Sequence, residues 1–148
     1  MKLLTKKQRR NRLFGKYAIL LAIGGILYYF IEILYRGYSH PATMLVGGIC
    51  FILCGLLNEV FPWSMPLTHQ MAIADIAITV VEFIAGVILN IWLGLGNWDY
   101  SNLPLNVMGQ ICIPFMIIWF FLSAPAIILD DYLRYWLFGE EKVKYKIF

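Results

Sequence analysis

The sequence predicts an all-α polytopic membrane protein, a bundle of four transmembrane helices followed by a C-terminal interfacial helix. Three observations carry that expectation. Of the 148 residues, 61% are hydrophobic and 14% charged, whereas a soluble domain has about 45–50% apolar and about 25% charged residues. The apolar residues gather in four blocks, each close to the roughly 20 residues a helix needs to cross the hydrocarbon core. Between Gly37 and Leu133 there is no lysine or arginine at all.

Residues 1–13 form a basic segment containing Lys6-Lys7-Gln8-Arg9-Arg10-Asn11-Arg12. Beside a membrane span, such a run fixes topology and meets anionic lipid head groups, so no nucleic-acid partner is expected. The first span is expected from Phe14 to Tyr35, ended by Arg36-Gly37 and Pro41. Its basic region is long, its apolar run exceeds an ordinary signal h-region and no A-x-A-like site follows, so it is expected to be retained. The second span runs from Ala42 to Val60 and stops at the segment from Pro62 to Pro66. The third covers Thr68 to Leu93 and is broken by Gly94-Leu95-Gly96-Asn97. The fourth is expected from Pro104 to Leu129, with Pro114 and Pro125 as candidate kinks. Residues 14–129 thus form the membrane domain and residues 130–148 an interfacial tail. In that tail Tyr132, Leu133, Tyr135, Trp136 and Leu137 are the candidate anchors.

Every basic residue except Arg36 lies toward one of the two ends. By the positive-inside rule both termini are cytoplasmic, in a bacterial cell membrane crossed four times. Cys50, Cys54 and Cys112 sit in apolar runs without further ligands at metal-binding spacing, so they are read as packing residues. No metal or cofactor is expected.

Carboxylates inside the spans are the informative exceptions. Glu32, Asp75 and Glu82 lie within apolar runs and Glu59 closes one. On insertion scales each costs about 2.5–3.5 kcal/mol at mid-membrane. Helical spacing places Asp75, Thr79, Glu82, Gly86 and Asn90 on one stripe of the third span. Glu32 and Arg36, four apart with the acid first, are set for an ion pair. Asp75 and Glu82 lack a nearby base and are expected to be protonated or linked to a cation. The candidate solute-binding set at the outer rim is Glu32, Arg36, His40, Glu82, Trp98, Asp99, Asn102 and Gln110. As a set they suit a cation, a proton or a small polar solute. Bundle packing by interhelical hydrogen bonds is the bland alternative, strongest for Asn58, Asn90 and Gln110.

Four strings are familiar together: Tyr28-Tyr29-Phe30-Ile31-Glu32-Ile33-Leu34-Tyr35-Arg36-Gly37-Tyr38-Ser39-His40, Leu57-Asn58-Glu59-Val60, Val81-Glu82-Phe83-Ile84-Ala85-Gly86, and Trp98-Asp99-Tyr100-Ser101-Asn102-Leu103-Pro104 leading to Gly109-Gln110-Ile111-Cys112. They resemble the CmpB-type family of small bacterial membrane proteins, named as ABC-transporter permeases of type IV. The resemblance implies a membrane permease or solute-binding subunit. The sequence has no G-x-x-x-x-G-K-[ST] phosphate loop, so ATP hydrolysis would fall to a separate nucleotide-binding ATPase subunit. Four helices are few for a complete importer, which adds a homo-oligomer as an expected partner. The alternatives are a non-transporting assembly or regulatory subunit and, ranked last, an intramembrane lipid-modifying enzyme using Glu32, His40 and Glu82. No H-E-x-x-H or G-x-S-x-G string supports catalysis, so no enzymatic activity is expected.

Overall fold

A computed structural model describes residues 5–148 and contains four helices long and apolar enough to cross a membrane. Helix α1 spans Lys6–Arg36. It opens on a capping box in which Thr5 accepts from the Gln8 N–H and Gln8 accepts from the Thr5 N–H. The basic segment is thus helical from Lys6 onward and continuous with the first span. Gly37, at φ 81°, closes the helix with its N–H on the Ile33 carbonyl. Helix α2 spans Pro41–Val60, with His40 as N-cap and proline at its first position.

Helix α3 spans Leu67–Gly86 and continues as a π-helical turn, Val87–Trp92, that ends at the Gly94–Gly96 break. The π turn widens the helix where Asn90 must reach the outer loop. No side chain caps the start of α3. The C-terminal tail does so instead: the carbonyls of Lys146 and Ile147 accept from the N–H groups of Leu67 and Thr68.

The fourth span departs from expectation. Pro104–Cys112 is not helical; it forms a hairpin whose two-residue strands, β1 (Asn106–Val107) and β2 (Ile111–Cys112), pair antiparallel. Its turn holds Met108 and Gly109 at positive φ, a geometry a helix cannot continue through. Helix α4 begins only at Ile113 and runs to Phe138. Pro114 therefore occupies the helix start and cannot kink it, leaving Pro125 as the internal proline. Nor is Asp130–Phe138 a separate interfacial helix. It continues α4 without a break to Gly139, giving 26 residues, about 39 Å, against a hydrocarbon core of about 30 Å. The expected anchors Tyr135, Trp136 and Leu137 are exposed on this last stretch.

Helices α1 and α2 form a tight antiparallel pair along a glycine seam. A Cβ on Gly25 would meet the Met44 carbonyl oxygen at 2.4 Å, and one on Gly48 the Leu21 carbonyl oxygen at 2.5 Å. Small residues are what let membrane helices approach this closely. Helices α2, α3 and α4 share the core, built from Cys54, Leu57, Met71, Ala74, Ile78, Trp119 and Ile127. Helices α1 and α4 scarcely touch, which leaves a gap between them.

Candidate functional site

The outer rim resolves into two polar clusters rather than one pocket. In the first, Glu32 is buried and Arg36 Nη2 reaches its Oε1 at 2.8 Å, the pair that the spacing of four anticipates. Glu32 Oε2 accepts from the Ser39 hydroxyl, and the Thr43 hydroxyl lies 2.8 Å away. Arg36 does not reach Asp99 or Glu82; its Nη1 donates to the Asn97 carbonyl and its guanidinium lies over the Tyr38 ring at 4.8 Å. That contact clasps α1 to the loop between α3 and α4. The Asn97 N–H in turn donates to Asn90 Oδ1 at 2.7 Å, and Asn90 Nδ2 to Gln110 Oε1 at 2.8 Å. Gly86 gives Gln110 its room, since a Cβ there would stand 2.5 Å from Gln110 Oε1.

The second cluster surrounds Glu82, which is 6% exposed. Tyr100 O–H donates to Oε1 at 2.9 Å and the Trp119 indole N–H to Oε2 at 2.8 Å. Tyr100 reaches inward because the outer loop folds back over the bundle. Its N–H bonds the Gly109 carbonyl, and its ring stacks on Phe115 at 4.4 Å between centroids. Neither Tyr100 nor Trp119 is among the residues singled out in the sequence. A tryptophan well inside an apolar span was the available signal, because its N–H needs an acceptor there.

Of the eight expected site residues, the structure joins Glu32 to Arg36 and brings Glu82 and Trp98 to one cavity. Gln110 belongs to the bonded chain that braces the outer loop, and its carbonyl accepts from the Trp98 indole at 3.0 Å. His40 is committed to capping α2, its Nδ1 accepting from the Ala42 N–H at 3.1 Å. Asp99 and Asn102 are exposed and not joined to the rest. Ser101 donates to Asp99 through its hydroxyl and its N–H, which holds that carboxyl below its ordinary range. Asp75, on the expected stripe, is half-buried with no ion pair among the described residues.

The cavity between α1, α2 and α4 has a volume of about 280 Å³. Carbon dominates its lining: Leu27 and Ile31 from α1, Val46 and Phe51 from α2, Leu122, Ala126 and Leu129 from α4. Glu82 supplies its one carboxylate, with Thr43, Ser123, Tyr28 and Trp98 as further polar wall. Cys50 and Cys54 also line it, are unoxidised, and no set of three metal-ligating side chains exists among the described residues.

At the opposite end, where both termini lie, a charged cluster closes the bundle. Arg134 is 2% exposed and Asp130 0%, paired through Arg134 Nε; Arg134 Nη1 stands 3.6 Å from Glu59 Oε1. Gly55 makes space for the Asp130 carboxylate, since a Cβ would overlap it at 1.8 Å. Asp131 accepts from Asn58 and from the Tyr145 hydroxyl, each at 2.6 Å. Burial, then that bond to Asp131, pushes the Tyr145 hydroxyl up from its ordinary value. This cluster was not anticipated from the sequence, although Asp130 and Arg134 show the same acid-then-base spacing of four as Glu32 and Arg36.

A family profile described as "Putative ABC-transporter type IV" (ABC_trans_CmpB) matches residues 3–138. The chain belongs to that family. It is a multi-pass membrane protein and, by family, a transport component. No curated protein and no solved structure matches the chain.

Proposed function

We propose that this protein is the membrane-embedded solute-binding or permease subunit of an ABC-type transporter, and that its solute occupies the cavity between α1, α2 and α4. The observation that carries the reading is Glu82, a single carboxylate on an otherwise apolar wall, held in place by Tyr100 and Trp119. A fixed carboxylate in a water-poor site attracts a cation or a hydrogen-bond donor far more strongly than it would in water. The carbon lining selects an apolar body around that group. The solute class is therefore an amphipathic cation or amine, entering through the gap between α1 and α4.

Both termini are assigned to the cytoplasm from the basic residues that flank the spans. A separate nucleotide-binding ATPase would drive the cycle, and the protein itself performs no covalent chemistry. Equilibrium dialysis of tetraphenylphosphonium against the protein in nanodiscs tests the reading. Replacing Glu82 with Gln should weaken retention about tenfold or more, the loss expected for one charge-assisted contact. Equal retention by a folded E82Q variant would leave Glu82 a packing residue and favour the assembly-subunit alternative.

A further inference from the structure

A second cavity of about 280 Å³ lies at the terminal end of the bundle, apart from the intramembrane one, with walls from the ends of α2 and α4 and from the tail after Gly139. Its volume is near the lower limit of small-molecule sites, roughly 300 Å³. Two of its wall residues are buried with polar atoms left over. Arg134, 2% exposed, spends Nε on Asp130, while Nη1 and Nη2 have no hydrogen-bond partner. Asn58, 8% exposed, donates through Nδ2 to Asp131, which fixes the amide and leaves Oδ1 without a donor.

Such orphans are costly, on the order of 1–3 kcal/mol each when no partner or water arrives. They are also of opposite kinds. The guanidinium edge offers two parallel N–H groups, the geometry that takes a carboxylate or phosphate oxygen pair. The Asn58 oxygen, with the Glu59 and Glu141 carboxylates on the same wall, calls for an ammonium. A simple anion would be repelled by those carboxylates. A simple cation would leave Arg134 unmatched, and no metal-ligating trio exists among the described residues.

We infer that this cavity binds a small zwitterion, its ammonium on Asn58 and Glu59 and its anionic oxygens on Arg134. Two sources carry that chemistry at a membrane surface: the phosphoethanolamine head group of a lipid, and a free amino acid or phosphoethanolamine in solution. The site does not depend on the reading of the Glu82 cavity.

The experiment uses the full-length protein with two arms. In detergent, calorimetric titration with O-phosphoethanolamine and β-alanine tests the free zwitterion, with phosphocholine, which lacks ammonium N–H groups, as the control. In nanodiscs mixing phosphatidylethanolamine with phosphatidylglycerol, native mass spectrometry counts retained lipids. Binding in the first arm assigns a soluble zwitterion, and selective retention of phosphatidylethanolamine assigns the head group; either supports the site. Glu59→Gln, whose side chain is 43% exposed and should tolerate exchange, is expected to lower either affinity about tenfold or more. Glu141→Gln, at a fully exposed position, serves as the second variant should Glu59→Gln fail to fold. No preference over phosphocholine and phosphatidylglycerol, or unchanged affinity in a folded variant, overturns the inference and leaves a cavity that holds water alone.

Discussion

Replacing Arg36 with methionine should destabilise the protein strongly, and replacing Glu32 with glutamine as well should recover part of the loss. The Arg36 and Glu32 side chains are 19% and 10% exposed and meet at 2.8 Å. At an effective dielectric of 20, opposite unit charges about 4 Å apart attract by about 4 kcal/mol. Removing one partner of a buried pair costs about 3–5 kcal/mol, because the other charge stays buried without compensation. The partial exposure of Arg36 argues for the lower end, about 3 kcal/mol. Ser39 and Thr43 remain to hydrogen-bond residue 32 in either charge state. A neutral glutamine there should therefore restore about 1 kcal/mol or more by removing the stranded charge. The double variant thus becomes more stable than Arg36→Met alone, although it carries one more substitution. Equilibrium unfolding in mixed micelles, followed by tryptophan fluorescence, measures all four proteins of the cycle. A double variant no more stable than Arg36→Met would refute the reasoning, since it would show that Glu32 is not left charged and buried.

Two further outcomes concern packing and capping. Gly48→Ala should cost about 1–3 kcal/mol, because the added methyl meets a backbone carbonyl that cannot rotate away; Gly15→Ala, with open space around it, should be neutral in the same unfolding assay. Truncation after Lys144 removes the two carbonyls that cap α3 and the Tyr145 bond to Asp131. Amide exchange at Leu67 and Thr68 should then accelerate about tenfold or more while the α3 interior stays protected, as hydrogen-exchange mass spectrometry would report.

Most of the fold was legible because membrane burial leaves so strong a mark on sequence. The apolar blocks and their glycine and proline breaks set α1 to α3 within a few residues of the expected spans. The fourth span was misplaced because Pro104–Cys112 is apolar enough to extend it, while its hairpin depends on turn conformations at Met108 and Gly109 that hydropathy does not see. The ion pair of Glu32 and Arg36 is local along one helix and so could be read from spacing alone. The partners of Glu82 could not, since Tyr100 lies in a loop and Trp119 on another helix, and only the folded chain brings them together. His40, Asp99 and Asn102 illustrate the converse error. Polar residues close in sequence to an expected rim need not share a pocket, and these three have local bonding or solvent instead.

The most direct test is nuclear magnetic resonance of the indole N–H groups of the five tryptophans, with the protein in nanodiscs. The Trp119 signal should be strongly protected from solvent exchange, and Glu82→Met should shift it and remove that protection, while the Trp98 signal, bonded to Gln110, stays in place. A Trp119 signal that ignores Glu82→Met, or exchanges as fast as that of exposed Trp92, would contradict a sequestered Glu82 at the wall of the membrane cavity.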